Sequence, residues 1–131
     1  MRAFLGVVLL IWVFGVSAVH AANPPLPTDK LVEYCKPAVS GEPLRSPPGP
    51  DQYLKAESYG LCLGYFQAFI ERTLDTLPPH SPLLCLPDSV KTPELIRVYI
   101  KYIDDNPNQI HKPASITLWD SLVRAYPCTK L

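Results

Sequence analysis

The chain has 131 residues, 47% hydrophobic and 18% charged, a balance that suits one globular domain and argues against wholesale disorder. Twelve basic against twelve acidic residues give a formal net charge of zero, which excludes the cation excess that non-specific nucleic-acid binding requires. Sixteen prolines against six glycines disfavour a sheet-rich fold, since each proline removes a ladder donor, and confine long helices to proline-free stretches.

Residues 1–21 begin with Arg2, continue as an almost wholly apolar run from Ala3 to Val19, and end with Val19 and Ala21 at the positions of a small-residue cleavage site. This pattern predicts a secretory signal peptide cut after Ala21, leaving a domain over 22–131. The apolar run of about 17 residues is short for a membrane span, so no stable membrane insertion is expected after cleavage. All sixteen prolines and all four cysteines fall in the mature part. A domain of about 110 residues has a modest core and gains from cross-links.

Residues 22–27 read as an extended leader. Thr28 is placed to N-cap a short helix over DKLVEYC, with Leu31, Val32 and Cys35 on one face and Pro37 ending it. Residues 37–50 hold five prolines and two glycines and read as a loop. The longest proline-free stretch, 51–77, predicts the central helix, with Asp51 as cap and Leu54, Leu61, Cys62, Tyr65, Phe66, Phe69 and Ile70 in a wide apolar sector. Ala56, Gly60, Gly64 and Ala68 recur every fourth residue beside it. Two helical glycines cost about 1 kcal/mol each against alanine, so close approach of another helix at this stripe is expected.

A second proline-rich loop covers 78–91. Thr92 is expected to cap the next helix, with Pro93 at its first position. Leu95, Val98, Tyr99 and Tyr102 form one stripe of that helix; Ile96, Ile100 and Ile103 form a neighbouring one, so contacts on two sides are expected. Asn106-Pro107 stops it. Residues 104–112 form a polar turn, and Pro113 opens the last helix, with Ala114, Leu118, Leu122 and Ala125 facing inward.

Cys35, Cys62, Cys85 and Cys128 are an even set in a chain with an export signal, which predicts two disulfides. Three connectivities exist. The preferred one pairs Cys35 with Cys62, tying the first helix to the second, and Cys85 with Cys128, tying a mid-chain loop to the C-terminus. The fold expected is therefore all-α: a small four-helix domain with proline-rich loops and two disulfides. The wide cysteine spacings contain no C-x-x-C, so no metal site is expected.

Short motifs recur in a recognisable order: Tyr34-Cys35, Cys62-Leu63-Gly64-Tyr65, Cys85-Leu86-Pro87, Thr92-Pro93-Glu94-Leu95, Tyr99-Ile100, Asn106-Pro107, Pro113-Ala114 and Tyr126-Pro127-Cys128. The series resembles the Rap/Tai family of small exported immunity proteins associated with type VI secretion. Ala68 and Tyr126 depart from its usual glycine and phenylalanine. The resemblance implies a periplasmic, all-helical, dimeric protein that binds a toxic effector delivered into the periplasm. In one branch the effector is a peptidoglycan amidase whose cleft is blocked. By that analogy the 104–112 turn is the inserted element, with Asn106, Asn108, Gln109 and His111 as polar contacts to the effector.

Rival functions have less support in the residues. After signal removal only His80 and His111 remain, with no Gly-rich phosphate loop, serine-nucleophile motif or H-E-x-x-H, so no catalytic residue and no cofactor is expected. A small disulfide-linked periplasmic chaperone is the alternative reading.

Overall fold

A computed structural model describes residues 24–40, 49–77 and 83–128. The expected signal peptide and His80 lie outside the described residues, as do most of the first proline-rich loop and part of the second. Within the described residues the fold is all-α: α1 (Thr28–Val39), α2 (Pro50–Thr76), α3 (Thr92–Asp105) and α4 (Ala114–Ala125), with a 3₁₀ turn (Pro107–Gln109) between α3 and α4. Two disulfides join Cys35 to Cys62 and Cys85 to Cys128, the preferred connectivity.

The core forms where the apolar stripes of four helices meet. Leu31 and Cys35 of α1, Cys62 and Phe66 of α2, Leu95, Ile96, Tyr99 and Ile103 of α3, and Ala114, Leu118 and Leu122 of α4 are buried, together with Leu84 from the connection. In α3, which packs against α1, α2 and α4, the two apolar stripes are both used within one chain. The Cys35–Cys62 bridge sits wholly inside this core, and the Cys85–Cys128 bridge at the surface ties the segment before α3 to the end of α4. Beside the second bridge, the Cys85 N–H donates to the Tyr126 carbonyl at 3.1 Å.

Several helix ends differ from expectation. Pro27, not Thr28, caps α1, because the Thr28 hydroxyl is drawn to partners 84 and 89 residues away. Pro37 lies inside α1, which continues to Val39. Its ring removes the donor for the carbonyl of Glu33, an exposed residue, so the loss falls on the solvent face. Gly49 caps α2, with Pro50 opening the helix and Asp51 in the first turn, where a carboxylate suits the helix dipole. Lys91 rather than Thr92 caps α3, and Pro93 lies within the first turn. Ala125 is exposed; Thr117 and Ser121 occupy the inner face of α4 beside Ala114, Leu118 and Leu122.

The glycine stripe on α2 also differs. A Cβ at Gly60 or Gly64 would meet nothing within 4 Å, so no helix of the chain approaches there among the described residues. Only Cys62 and Phe66 of the helix's 27 residues are fully buried. Leu54 and Leu61, expected inside, are 67% and 50% exposed. The helix lies on the outside of the bundle, and the wide apolar sector is broader than the neighbours that cover it.

Candidate functional site

The turn between α3 and α4 is fixed at both ends. On the α3 side, Asn106 stops the helix at φ −132° and ψ 65°. Its side-chain amide donates to the Tyr102 carbonyl at 2.8 Å, and its backbone N–H donates to the Ile103 carbonyl at 3.1 Å. Two C-terminal carbonyls that the helix leaves open are thereby satisfied. The turn then tightens through three short-range bonds, from Gln109 to Asn106, Ile110 to Pro107 and Lys112 to Gln109. Half-buried Ile110 packs against the core, which holds the middle of the turn down.

The far end is joined to the start of α1. Pro27 and Pro113 form an isolated antiparallel bridge. Neither proline has an N–H, so the flanking residues supply the bonds. The Thr28 N–H donates to the Lys112 carbonyl at 3.0 Å, and the Ala114 N–H donates to the Leu26 carbonyl at 2.8 Å. The leader is therefore pinned from Leu26 onward, which its proline-rich composition gave no reason to expect.

Four candidate contact residues are placed in this turn, with different freedoms. Asn108 and His111 are exposed. The amide nitrogen of Asn106 is already committed to Tyr102. Gln109 is half-buried and lies 3.5 Å from the Asn108 side-chain oxygen. Asp105, at the mouth of the turn, pairs with Lys101 at 2.9 Å on the exposed flank of α3. Among the described residues no group of three or more His, Cys, Asp or Glu is placed to hold a metal ion.

An apolar groove of about 390 Å³ opens between the leader, α1 and α2, lined by Leu26, Tyr34, Gly60, Leu61, Gly64 and Tyr65. Tyr65 reaches Ser115 at the start of α4, and burial pushes its phenol above the usual tyrosine range despite that hydrogen bond. Leu26 links groove and turn, since it lines the first and accepts the bond from Ala114 next to the second.

Sequence reasoning missed Thr28 and Thr117 as interior hydroxyls. Both are 0% exposed and hydrogen-bonded to each other at 2.8 Å. The signal was present: Thr117 and Ser121 fall on the same helical stripe as Ala114, Leu118 and Leu122, and hydroxyls on a core stripe need internal partners.

The fold and turn thus define a small, disulfide-held helical domain that presents a short polar turn from a fixed frame. The family model for Rap1a immunity proteins matches residues 28–128, and the chain belongs to that family. The match spans both disulfides, the turn and all four helices. No curated protein and no solved structure matches the chain.

Proposed function

We propose that this chain is an exported, non-catalytic immunity protein that binds an effector acting in the periplasm and occludes its active site. The effector class is a type VI secretion toxin, with a peptidoglycan amidase as the first candidate. Membership of the Rap1a immunity proteins carries this reading. The residues 1–21 act as the signal peptide, and the domain over 22–131 reaches the periplasm, where its thiols are oxidised. Two disulfides fit that compartment. Among the described residues no helix is long and apolar enough to cross a membrane.

The mechanism is steric. A turn anchored at both ends loses little conformational entropy when it docks, so more of the contact energy appears as affinity. Asn108 and His111 offer exposed polar groups, while half-buried Asn106 and Gln109 flank them, with the Gln109 side-chain oxygen buried and without a hydrogen-bond partner among the described residues. The protein acts as a homodimer, and the exposed apolar side chains of α2, Tyr53, Leu54, Leu61 and Leu74, are the surface available for a second copy.

A gene for a secreted cell-wall hydrolase beside this one would support the reading, and co-purification with that hydrolase tests it. A stable complex and loss of hydrolase activity are expected. No complex at micromolar concentration contradicts it. Mass analysis of periplasmic material tests export: the expected chain begins at Ala22 and carries no free thiol. Sedimentation equilibrium tests the dimer.

A further inference from the structure

Four oxygen atoms form a continuous line from the core to the turn. The Tyr99 hydroxyl is 3.3 Å from Thr117 Oγ1, Thr117 Oγ1 is 2.8 Å from Thr28 Oγ1, and Thr28 Oγ1 is 2.7 Å from the Lys112 carbonyl oxygen. Tyr99, Thr117 and Thr28 are each 0% exposed. Each hydroxyl has one proton to give, and the carbonyl has none. Thr28 must therefore donate to Lys112. Its proton is then committed, so the contact with Thr117 requires the proton of Thr117. The Ala114 carbonyl, 3.1 Å from Thr117 Oγ1, competes for that proton at longer range. With Thr117 donating to Thr28, only Tyr99 can donate across the remaining gap. The chain has a single direction: Tyr99 to Thr117 to Thr28 to the Lys112 carbonyl.

The end point matters because the turn's three internal hydrogen bonds are local. The bonds Gln109 to Asn106, Ile110 to Pro107 and Lys112 to Gln109 shape the turn without fixing it to the body. Thr28 ties the far end of the turn to α1, with both its N–H and its hydroxyl on the same Lys112 carbonyl, in addition to the packing of Ile110 and the Ala114–Leu26 bond. Hydrogen bonds in series polarise one another, and in a buried site each is stronger than at the surface.

We infer that Tyr99, Thr117 and Thr28 are positioning residues that set the geometry of the 107–112 turn from inside the core. The consequence for effector recognition rests on the proposed docking role of the turn; the positioning itself does not. These residues touch no partner. They act through the Lys112 carbonyl, which faces inward to Thr28 while the Lys112 residue as a whole is exposed.

Amide hydrogen exchange on the oxidised full-domain protein tests this, with Thr28→Val, Thr117→Val, Tyr99→Phe and Thr28→Ser. Thr28→Val and Thr117→Val keep side-chain shape and remove a hydroxyl. Each should speed exchange at Ile110 and Lys112 by about tenfold beyond the change in global stability measured by urea unfolding. Tyr99→Phe, which removes only the first donor, should give a smaller rise at the same amides. Thr28→Ser restores the hydroxyl and should return the turn to within about twofold of wild type. Unchanged turn protection in both valine variants overturns the inference. So does an equal loss of protection across all four helices, or a serine variant no better than valine. If the valine variants do not fold, Tyr99→Phe decides: unchanged exchange at Ile110 and Lys112, or an equal rise across all four helices, overturns the inference. Effector binding by the same proteins separates the two ideas: faster turn exchange with unaltered affinity retains the positioning chain and removes the docking role.

Discussion

Phe66 of α2 stands edge-on to Tyr99 of α3, with ring centroids 5.7 Å apart and planes at 77°. Both rings are 0% exposed, and the contact joins the outermost helix to the one at the centre of the bundle. Edge-to-face rings add to the area term, because the positive rim of one meets the negative face of the other. The same Tyr99 places its hydroxyl on Thr117, so this ring is packed on one side and hydrogen-bonded on the other.

Phe66→Ala should therefore cost about 3–5 kcal/mol, the range for an aromatic ring deleted from a packed core. Phe66→Leu keeps most of the volume and should cost much less. Urea unfolding of the oxidised protein measures both. Similar small costs for the two substitutions would show that the α2–α3 contact is loose.

The glycines of α2 predict the opposite sign. Because a Cβ at Gly60 or Gly64 meets nothing within 4 Å, alanine there should stabilise the monomer by about 1 kcal/mol each through helix propensity. Thermal melts at low protein concentration would register the gain. If the same substitutions weaken self-association, the groove between Leu61 and Tyr65 lies in the dimer contact.

The two disulfides should separate under mild reduction. Cys35 and Cys62 are buried at 0% exposure, whereas Cys85 is exposed and Cys128 half-buried. Thiol–disulfide exchange needs access to sulfur, so Cys85 and Cys128 should be alkylated first in a timed mass-spectrometric experiment. Loops closed over 27 and 43 residues give about 3.5–4 kcal/mol of chain-entropy stabilisation for each bridge. Paired serine replacements, scored by urea unfolding, measure how much of that survives.

Alkaline pH should destabilise the fold. Burial raises the phenols of Tyr99, Tyr65 and Tyr126 above the usual value of 10.0, with Glu94 adding to the effect at Tyr126. The folded form then holds protons that the unfolded chain has lost. This stability is fully present below the unfolded pKa near 10 and falls as pH rises toward the folded values. Urea midpoints measured across that window should decline, and Tyr99→Phe should flatten the decline. A midpoint constant through the alkaline range would contradict the assignment.

Much of this architecture was legible because proline-rich segments separate the four core stripes. Cys35 and Cys62 fall on the inner faces of their helices, so the first bridge follows from the same periodicity that builds the core. Helix ends were less legible. Thr28 has the side chain of an N-cap, and nothing local reveals that Lys112 and Thr117 compete for it. Pro37 reads as a stop, yet the carbonyl it leaves without a donor, that of Glu33, lies on the solvent face, where water can satisfy it. The stripe on α2 misled for a related reason: period reports which residues share a face, not whether another helix covers it. For the turn, Asn106-Pro107 and Pro113 marked the limits, while the bond from Ala114 to Leu26 spans too much sequence for any local pattern to carry.

Under the proposed function, the turn between α3 and α4 blocks an effector's active site. Titration calorimetry of the oxidised domain against a candidate periplasmic cell-wall hydrolase tests this, using wild type and an Asn108→Ala/His111→Ala double variant. Wild type should form a tight complex, and the double variant should bind at least about tenfold more weakly, the loss of one or two exposed hydrogen bonds. Equal affinity of the two proteins, or no heat of binding at micromolar concentration, would contradict it.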